Sequence, residues 1–141
     1  MNHTAQKRRA AERGFTLIEI LVVIAILAML AGLVGPAVMD RLSGAKSKTA
    51  ALQIADFEQA LDIFKLDVGR YPNNNEGLKA LTANPGSVAG WNGPYLKGEV
   101  PADPWGNPYH YSFANGKVEV FSLGADNTPG GDGENADIRN R

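Results

Sequence analysis

The sequence predicts an α+β chain: one long N-terminal helix, membrane-spanning in its first half and amphipathic in its second, packed on a small antiparallel β-sheet that runs into an acidic, glycine-rich loop. Three observations predict it. Ile20 to Met39 is twenty residues without a charge. Ile54, Phe57, Leu61, Phe64 and Val68 then recur at alternating steps of three and four, which places one apolar stripe on a helix face. Tyr109–Phe113 and Lys117–Leu123 alternate in strand fashion on either side of Ala114-Asn115-Gly116, a hairpin signal.

The apolar run comes first. A helix of twenty residues rises roughly 30 Å, the thickness of a bilayer hydrocarbon core. Lys7, Arg8, Arg9 and Arg13 precede it against one acid, Glu12. The positive-inside rule keeps that flank cytoplasmic and sends the rest of the chain across. A soluble core helix is the first alternative, opposed by a run that is apolar all round. A cleaved signal peptide is the second. It needs small residues two apart near the end of the run, and only Gly35-Pro36-Ala37 offers them, with a proline between.

The helix is expected to continue past the lipid, from about Thr16 to Val68. Lys48, Asp56, Glu58, Asp62 and Lys65 give the second half a polar exterior, and Gly69 and Pro72 stop it. Pro36 removes a backbone donor and crowds the preceding turn, so a kink or local melting is expected near Leu33 to Pro36; a static membrane-helix kink is the plainer reading.

Beyond the helix, Asn73-Asn74-Asn75-Glu76 is read as capping a short helix through Leu81. A loop rich in Pro, Gly and Asn follows from Thr82 to Asn107. Trp105, Tyr109, Tyr111 and Phe121 are assigned to the core. His110, the only histidine beyond the first fourteen residues, is assigned to the surface. The chain of 141 residues suits one domain and carries no cysteine, which removes disulfides, thiolate metal sites and cysteine nucleophiles. No nucleophile–base pair, phosphate loop or histidine cluster appears, so the chain reads as a non-enzyme. Without the first fourteen residues ten basic and fourteen acidic side chains remain, a balance unsuited to nucleic acid.

One residue breaks the apolar pattern. Glu19 sits at the entrance of the run, where a charge costs up to about 2.5–3.5 kcal/mol at the helix centre and less toward the edge. It either rests at the membrane interface or needs a partner: Arg13, six residues earlier, or a group brought by another chain.

Gly14-Phe15-Thr16-Leu17-Ile18-Glu19, behind a short basic leader and ahead of an apolar helix, resembles the type IV prepilin cleavage motif. The resemblance implies that a prepilin peptidase removes residues 1–14, cutting between Gly14 and Phe15 and methylating the new amine of Phe15. Glu19 then pairs with the Phe15 amine of a neighbouring copy. A buried ion pair of that kind sets register more than it adds stability.

Longer stretches narrow the family. Asp67-Val68-Gly69-Arg70-Tyr71-Pro72, Glu76-Gly77-Leu78-Lys79-Ala80-Leu81 and Val100-Pro101-Ala102-Asp103-Pro104-Trp105-Gly106-Asn107-Pro108-Tyr109 resemble type II secretion pseudopilins. Ser122-Leu123-Gly124-Ala125-Asp126 and Ala136-Asp137-Ile138 resemble the major pseudopilins among them. The family's Gly-Asn-Trp after Asp-Ile is Arg139-Asn140-Arg141 here, so contacts of that tryptophan are lost.

The resemblance implies a structural subunit with 15–39 as transmembrane and filament-core helix and 40–141 as the periplasmic domain. It implies a helical homopolymer that helps drive folded proteins across the outer membrane. Partners would be copies of itself, the prepilin peptidase, minor pseudopilins, an inner-membrane assembly platform and, before assembly, membrane lipid. Location would be the inner membrane, with the N-terminus cytoplasmic and the filament in the periplasm. A type IV pilus subunit is one alternative, although such subunits usually close a terminal loop with a disulfide. A membrane-anchored periplasmic binding protein or enzyme is another.

Gly124 to Ile138 carries Asp126, Asp132, Glu134 and Asp137 and no base. Four acids repel one another unless they are solvated or bridged by a hard cation. Composition leaves both open. The pseudopilin resemblance implies a metal-binding loop, about 123–138, holding one Ca2+ through Asp126, Asp137 and the Leu123 carbonyl, with Asp132 and Glu134 as further candidates.

Overall fold

The computed structural model describes residues 14–140, so the expected leader lies almost wholly outside the described residues. Contacts divide the chain into two units, Met1–Val38 and Met39–Arg141. Helix α1, Leu17–Val68, contributes to both.

In the first unit Thr16 caps the helix. Its Oγ1 accepts from the Glu19 N–H at 3.2 Å, and its carbonyl accepts from Ile20 N–H at 3.2 Å. The apolar run that follows is not buried anywhere in the chain, and Leu17, Met29 and Leu33 are each close to 80 % exposed. A soluble core helix would be covered on this face; this one is not. The helix runs continuously through Pro36. The proline still leaves the Gly32 carbonyl without its usual i+4 donor.

In the second unit α1 buries Ala50, Ile54, Phe57, Ala60, Leu61 and Phe64. Leu78, Ala80, Leu81, Tyr109 and Val120 complete the core, with Val68, Tyr71, Trp91 and Tyr111 half-buried against it. The stripe read from the sequence is thus the face that packs, because only residues three and four apart share one side of a helix. Phe57 meets Tyr109 edge to face at 5.0 Å, and the Tyr109 hydroxyl donates to Gln53.

A capping exchange ends the approach to the short 3-10 helix Gly77–Leu81. Asn73 Oδ1 accepts from Asn75 N–H and Glu76 N–H, at 3.0 and 2.9 Å, while Glu76 Oε2 accepts from Asn73 N–H at 2.7 Å. Arg70 grips the same carboxylate with both terminal nitrogens at 2.7 and 2.8 Å.

The sheet has three antiparallel strands in the order β1, β2, β3: His110–Ala114, Lys117–Ser122 and Ile138–Arg139. Asn115 and Gly116 turn the first hairpin with φ of 52° and 75°, the pair of positive angles that a two-residue turn between twisted strands requires. In β2, Val120 and Ser122 point into the core and Phe121 points away. The expectation that Phe121 is core is therefore corrected. Strand parity assigns it to the outer face, where it stacks on His110 at 5.1 Å. Trp105 is only partly buried, although its indole N–H is enclosed without a partner. The third strand is a further departure: Ile138 was read as the end of the loop, yet it pairs with Ser122.

No regular element lies between Leu81 and His110 among the described residues. Side chains hold this stretch. Trp91 Nε1 donates to the Ala80 carbonyl at 2.8 Å, and Tyr95 Oη to Asp67 Oδ2 at 3.0 Å. Asp103, 4 % exposed, accepts from Trp105 N–H and Asn107 N–H through Oδ1 and from Ser122 Oγ through Oδ2, at 3.1, 2.8 and 2.6 Å.

Candidate functional sites

Two regions carry the residues singled out from the sequence, one in each unit. The first is the entrance to α1. Gly14, Phe15 and Thr16 are non-helical and exposed, and among the described residues nothing beyond the chain neighbours comes within 4 Å of where a Gly14 side chain would stand. Gly14 and Phe15 thus precede a capped helix as non-helical backbone, and Phe15 is 78 % exposed. Glu19 occupies the third helical position. There it faces the positive end of the helix dipole. Phe15, Ile20, Val23 and Ile24 line a shallow groove beside it. The spacing Thr16-x-x-Glu19 is that of a capping box, a signal present in the sequence but masked by the membrane cost of the acid.

The second region is the acidic loop, which joins β2 to β3. Its start is anchored from outside: Gly124 N–H donates to Ser122 Oγ at 3.1 Å, and Asn107 Nδ2 donates to the Gly124 carbonyl at 3.0 Å. Gly124 has φ of 72°, and a Cβ there would stand 2.6 Å from the Glu134 carbonyl and 3.0 Å from that of Ala136. Only glycine admits those main-chain oxygens so close. Asp126 Oδ1 accepts from Thr128 N–H at 3.1 Å, and Asp137 Oδ1 accepts from Gly130 N–H at 3.0 Å. Asp132 lends its carbonyl to Asn135 N–H, and Glu134 lends its own to Ala125 N–H.

Among the described residues, no three acidic, histidine or cysteine side chains come together. The four acids are thus not one cluster. The donor types, carboxylates and main-chain carbonyls in a glycine-rich loop, are those a hard dication takes.

Two residues just beyond the loop, Arg139 and Asn140, tie it to the sheet and the helix. Arg139 donates from Nη1 to Glu119 Oε1 at 2.6 Å and from Nη2 to Asp137 Oδ2 at 3.0 Å. Glu119 first, and then Asp137, hold its guanidinium above the ordinary value. Asn140 closes the sheet edge. Its Nδ2 donates to Glu58 Oε1 at 2.8 Å and to the Val118 carbonyl at 3.1 Å, and its Oδ1 accepts from Val120 N–H at 2.9 Å.

Comparison with known proteins gives consistent matches. A family model described as type II secretion system (T2SS), protein G, matches residues 37–141, and one for the prokaryotic N-terminal methylation motif matches residues 9–35. The chain is 46 % identical over 140 residues to type II secretion system core protein G of Pseudomonas aeruginosa, covering 94 % of this chain and 97 % of that one. It is 41 % identical over 139 residues to the Vibrio cholerae protein of the same description, covering 95 % and 94 %. Among solved structures, the major pseudopilin of the type 2 secretion system of enterohaemorrhagic Escherichia coli superposes with a TM-score of 0.63 at 28 % identity, covering 72 % of this chain and 87 % of that one.

Proposed function

The chain belongs to the type II secretion system protein G family, and on that premise we propose that it is a major pseudopilin: a structural subunit that polymerises into the secretion pseudopilus and helps drive export of folded proteins. The observation that carries the assembly reading is the bare apolar half of α1. It is unburied within the chain, so lipid must cover it before assembly and other copies must cover it afterwards. The family is structural, which agrees with a chain that performs no chemistry of its own.

The methylation-motif match supports processing at Gly14–Phe15 by a prepilin peptidase. Cleavage creates an amine that stays positive on methylation. Beside Glu19 of a neighbouring copy it neutralises an acid that would otherwise be penalised in a low-dielectric bundle, and so fixes the axial stagger. The basic flank supports an N-terminus in the cytoplasm and a second unit in the periplasm. The minor pseudopilins and the inner-membrane platform are the further partners this reading requires.

Calcium belongs to the same proposal. Asp126, Asp137 and the Leu123 carbonyl would hold it, with Asp132 and Glu134 as additional oxygen donors. The ion would supply charge neutralisation and loop closure, which a small domain without disulfides gains from.

The test is the amino-terminal mass of the protein from cells containing its peptidase, together with filament formation by variants. A start at methylated Phe15 is expected. Glu19→Gln is expected to abolish filaments, whereas Thr16→Val, which removes only the helix cap, is expected to retain them. A natural product beginning at Met1, or normal filaments from Glu19→Gln, rejects the assembly mechanism.

A further inference from the structure

Arg139 lies where the outer face of the sheet meets the loop. β3 sets it opposite Phe121 in register, and β1 sets His110 opposite the same ring. The guanidinium carbon stands 4.4 Å from the Phe121 centroid, while His110 stacks on the other side at an interplanar angle of 15°. The row His110, Phe121, Arg139 therefore crosses all three strands. Both of its ends reach the loop. His110 Nε2 is 3.5 Å from Asn127 Oδ1, and Arg139 Nη2 is 3.0 Å from Asp137 Oδ2.

The second contact bears on the metal. Asp137 Oδ1 already accepts from Gly130 N–H, so in this arrangement both oxygens of the carboxylate are engaged. A guanidinium suits the position because its planar fork reaches Glu119 and Asp137 at once while its face lies on an aromatic ring. An ammonium would keep the positive charge beside Asp137 but could not reach Glu119 at the same time.

We propose that Arg139 is an internal counter-cation for Asp137, which closes the end of the loop without metal and which calcium must displace or share. The inference rests on the calcium reading above. Calcium affinity follows ligand charge and site rigidity. A fixed positive charge on a ligand carboxylate lowers the first, and at this exposed position solvent moderates the effect to about three- to tenfold in Kd.

The experiment uses the full chain in detergent micelles. Wild type, Arg139→Gln and Arg139→Lys are titrated with CaCl2 by calorimetry and melted in EGTA. Arg139→Gln is expected to bind calcium about three- to tenfold more tightly and to melt at a lower temperature in EGTA. Arg139→Lys, which keeps the charge, is expected to bind nearly as wild type does. Equal calcium affinity in wild type and Arg139→Gln overturns the competition, as does an unchanged melting temperature in EGTA. Arg139→Lys binding as tightly as Arg139→Gln shows that charge is not the cause and also overturns it. Absence of calcium heat in all three chains removes the metal reading beneath the proposal and the proposal with it.

Discussion

Replacing Asn140 by alanine should cost far more than its place near a strand end suggests. The side chain makes three hydrogen bonds: to Glu58 on α1, to the Val118 carbonyl, and from the Val120 N–H. Val120 is fully buried, so its amide has no water to fall back on once Oδ1 is gone. A buried donor left unsatisfied costs about 1–3 kcal/mol, and a hydrogen bond to a charged carboxylate adds about 1.5 kcal/mol where it is shielded. Allowing for solvent at Glu58, a loss of roughly 2–4 kcal/mol follows. For a domain of this size each kcal/mol shifts the midpoint by about 4–8 °C, so a fall of roughly 8–32 °C is expected. Thermal unfolding of the full chain in micelles, followed by tryptophan fluorescence, measures the shift, and urea unfolding the loss in kcal/mol. Asn140→Asp tests the direction of the bonds. It keeps an acceptor for Val120 but faces Glu58 and the Val118 carbonyl with a negative charge, so it should be no better than alanine at neutral pH. A loss below about 0.5 kcal/mol for Asn140→Ala, the range of an ordinary surface change, would refute the reasoning.

Two further outcomes are expected. The Glu76 carboxyl is held below its ordinary 4.5, chiefly by the Arg70 hydrogen bonds and further by the Asn73 N–H, against desolvation. A depressed carboxylate contributes stability above its unfolded pKa and loses it as pH falls through the lower folded value. Melting temperature should thus decline below about pH 4.5, and Glu76→Gln should flatten that part of the decline; parallel curves would contradict this. Asp126→Ala should bring the melting temperature in calcium down to the level seen with chelator, and a chelator response equal to that of wild type would remove Asp126 from the site.

The long helix was legible because its apolar positions repeat at the helical period over four steps, and the first hairpin because Asn-Gly accepts two positive φ angles. The misses have physical causes. β3 is two residues long, too short to alternate, and exists only because β2 offers it an edge. Phe121 was assigned by residue type when the parity of β2 already turned it outward. Asp103 stands between Ala102 and Pro104, where nothing in the sequence distinguishes a buried organiser from a solvated acid; its three hydrogen-bond donors are brought together only by the fold. The loop showed its charge in composition. What composition could not show is that Arg139, one residue beyond the loop, bonds one of its acids. Thr16 and Glu19 have the spacing of a helix start, but an acid beside an apolar run carries a membrane cost as well, so the spacing alone does not single out the cap.

The way the acidic loop is rooted has an engineering consequence. Its two ends meet on Ser122, one through the Gly124 amide and the other through strand pairing with Ile138. Both attachments belong to the sheet, not to the residues between. A donor sequence of different length spliced between Ala125 and Ala136 would add an entropic penalty of about 0.6 kcal/mol per doubling, on top of the loss of the Ala125–Glu134 and Gly130–Asp137 hydrogen bonds and of the oxygen donors between them. Sensors for other ions, or tags displayed along a polymer, would enter the molecule at this seam.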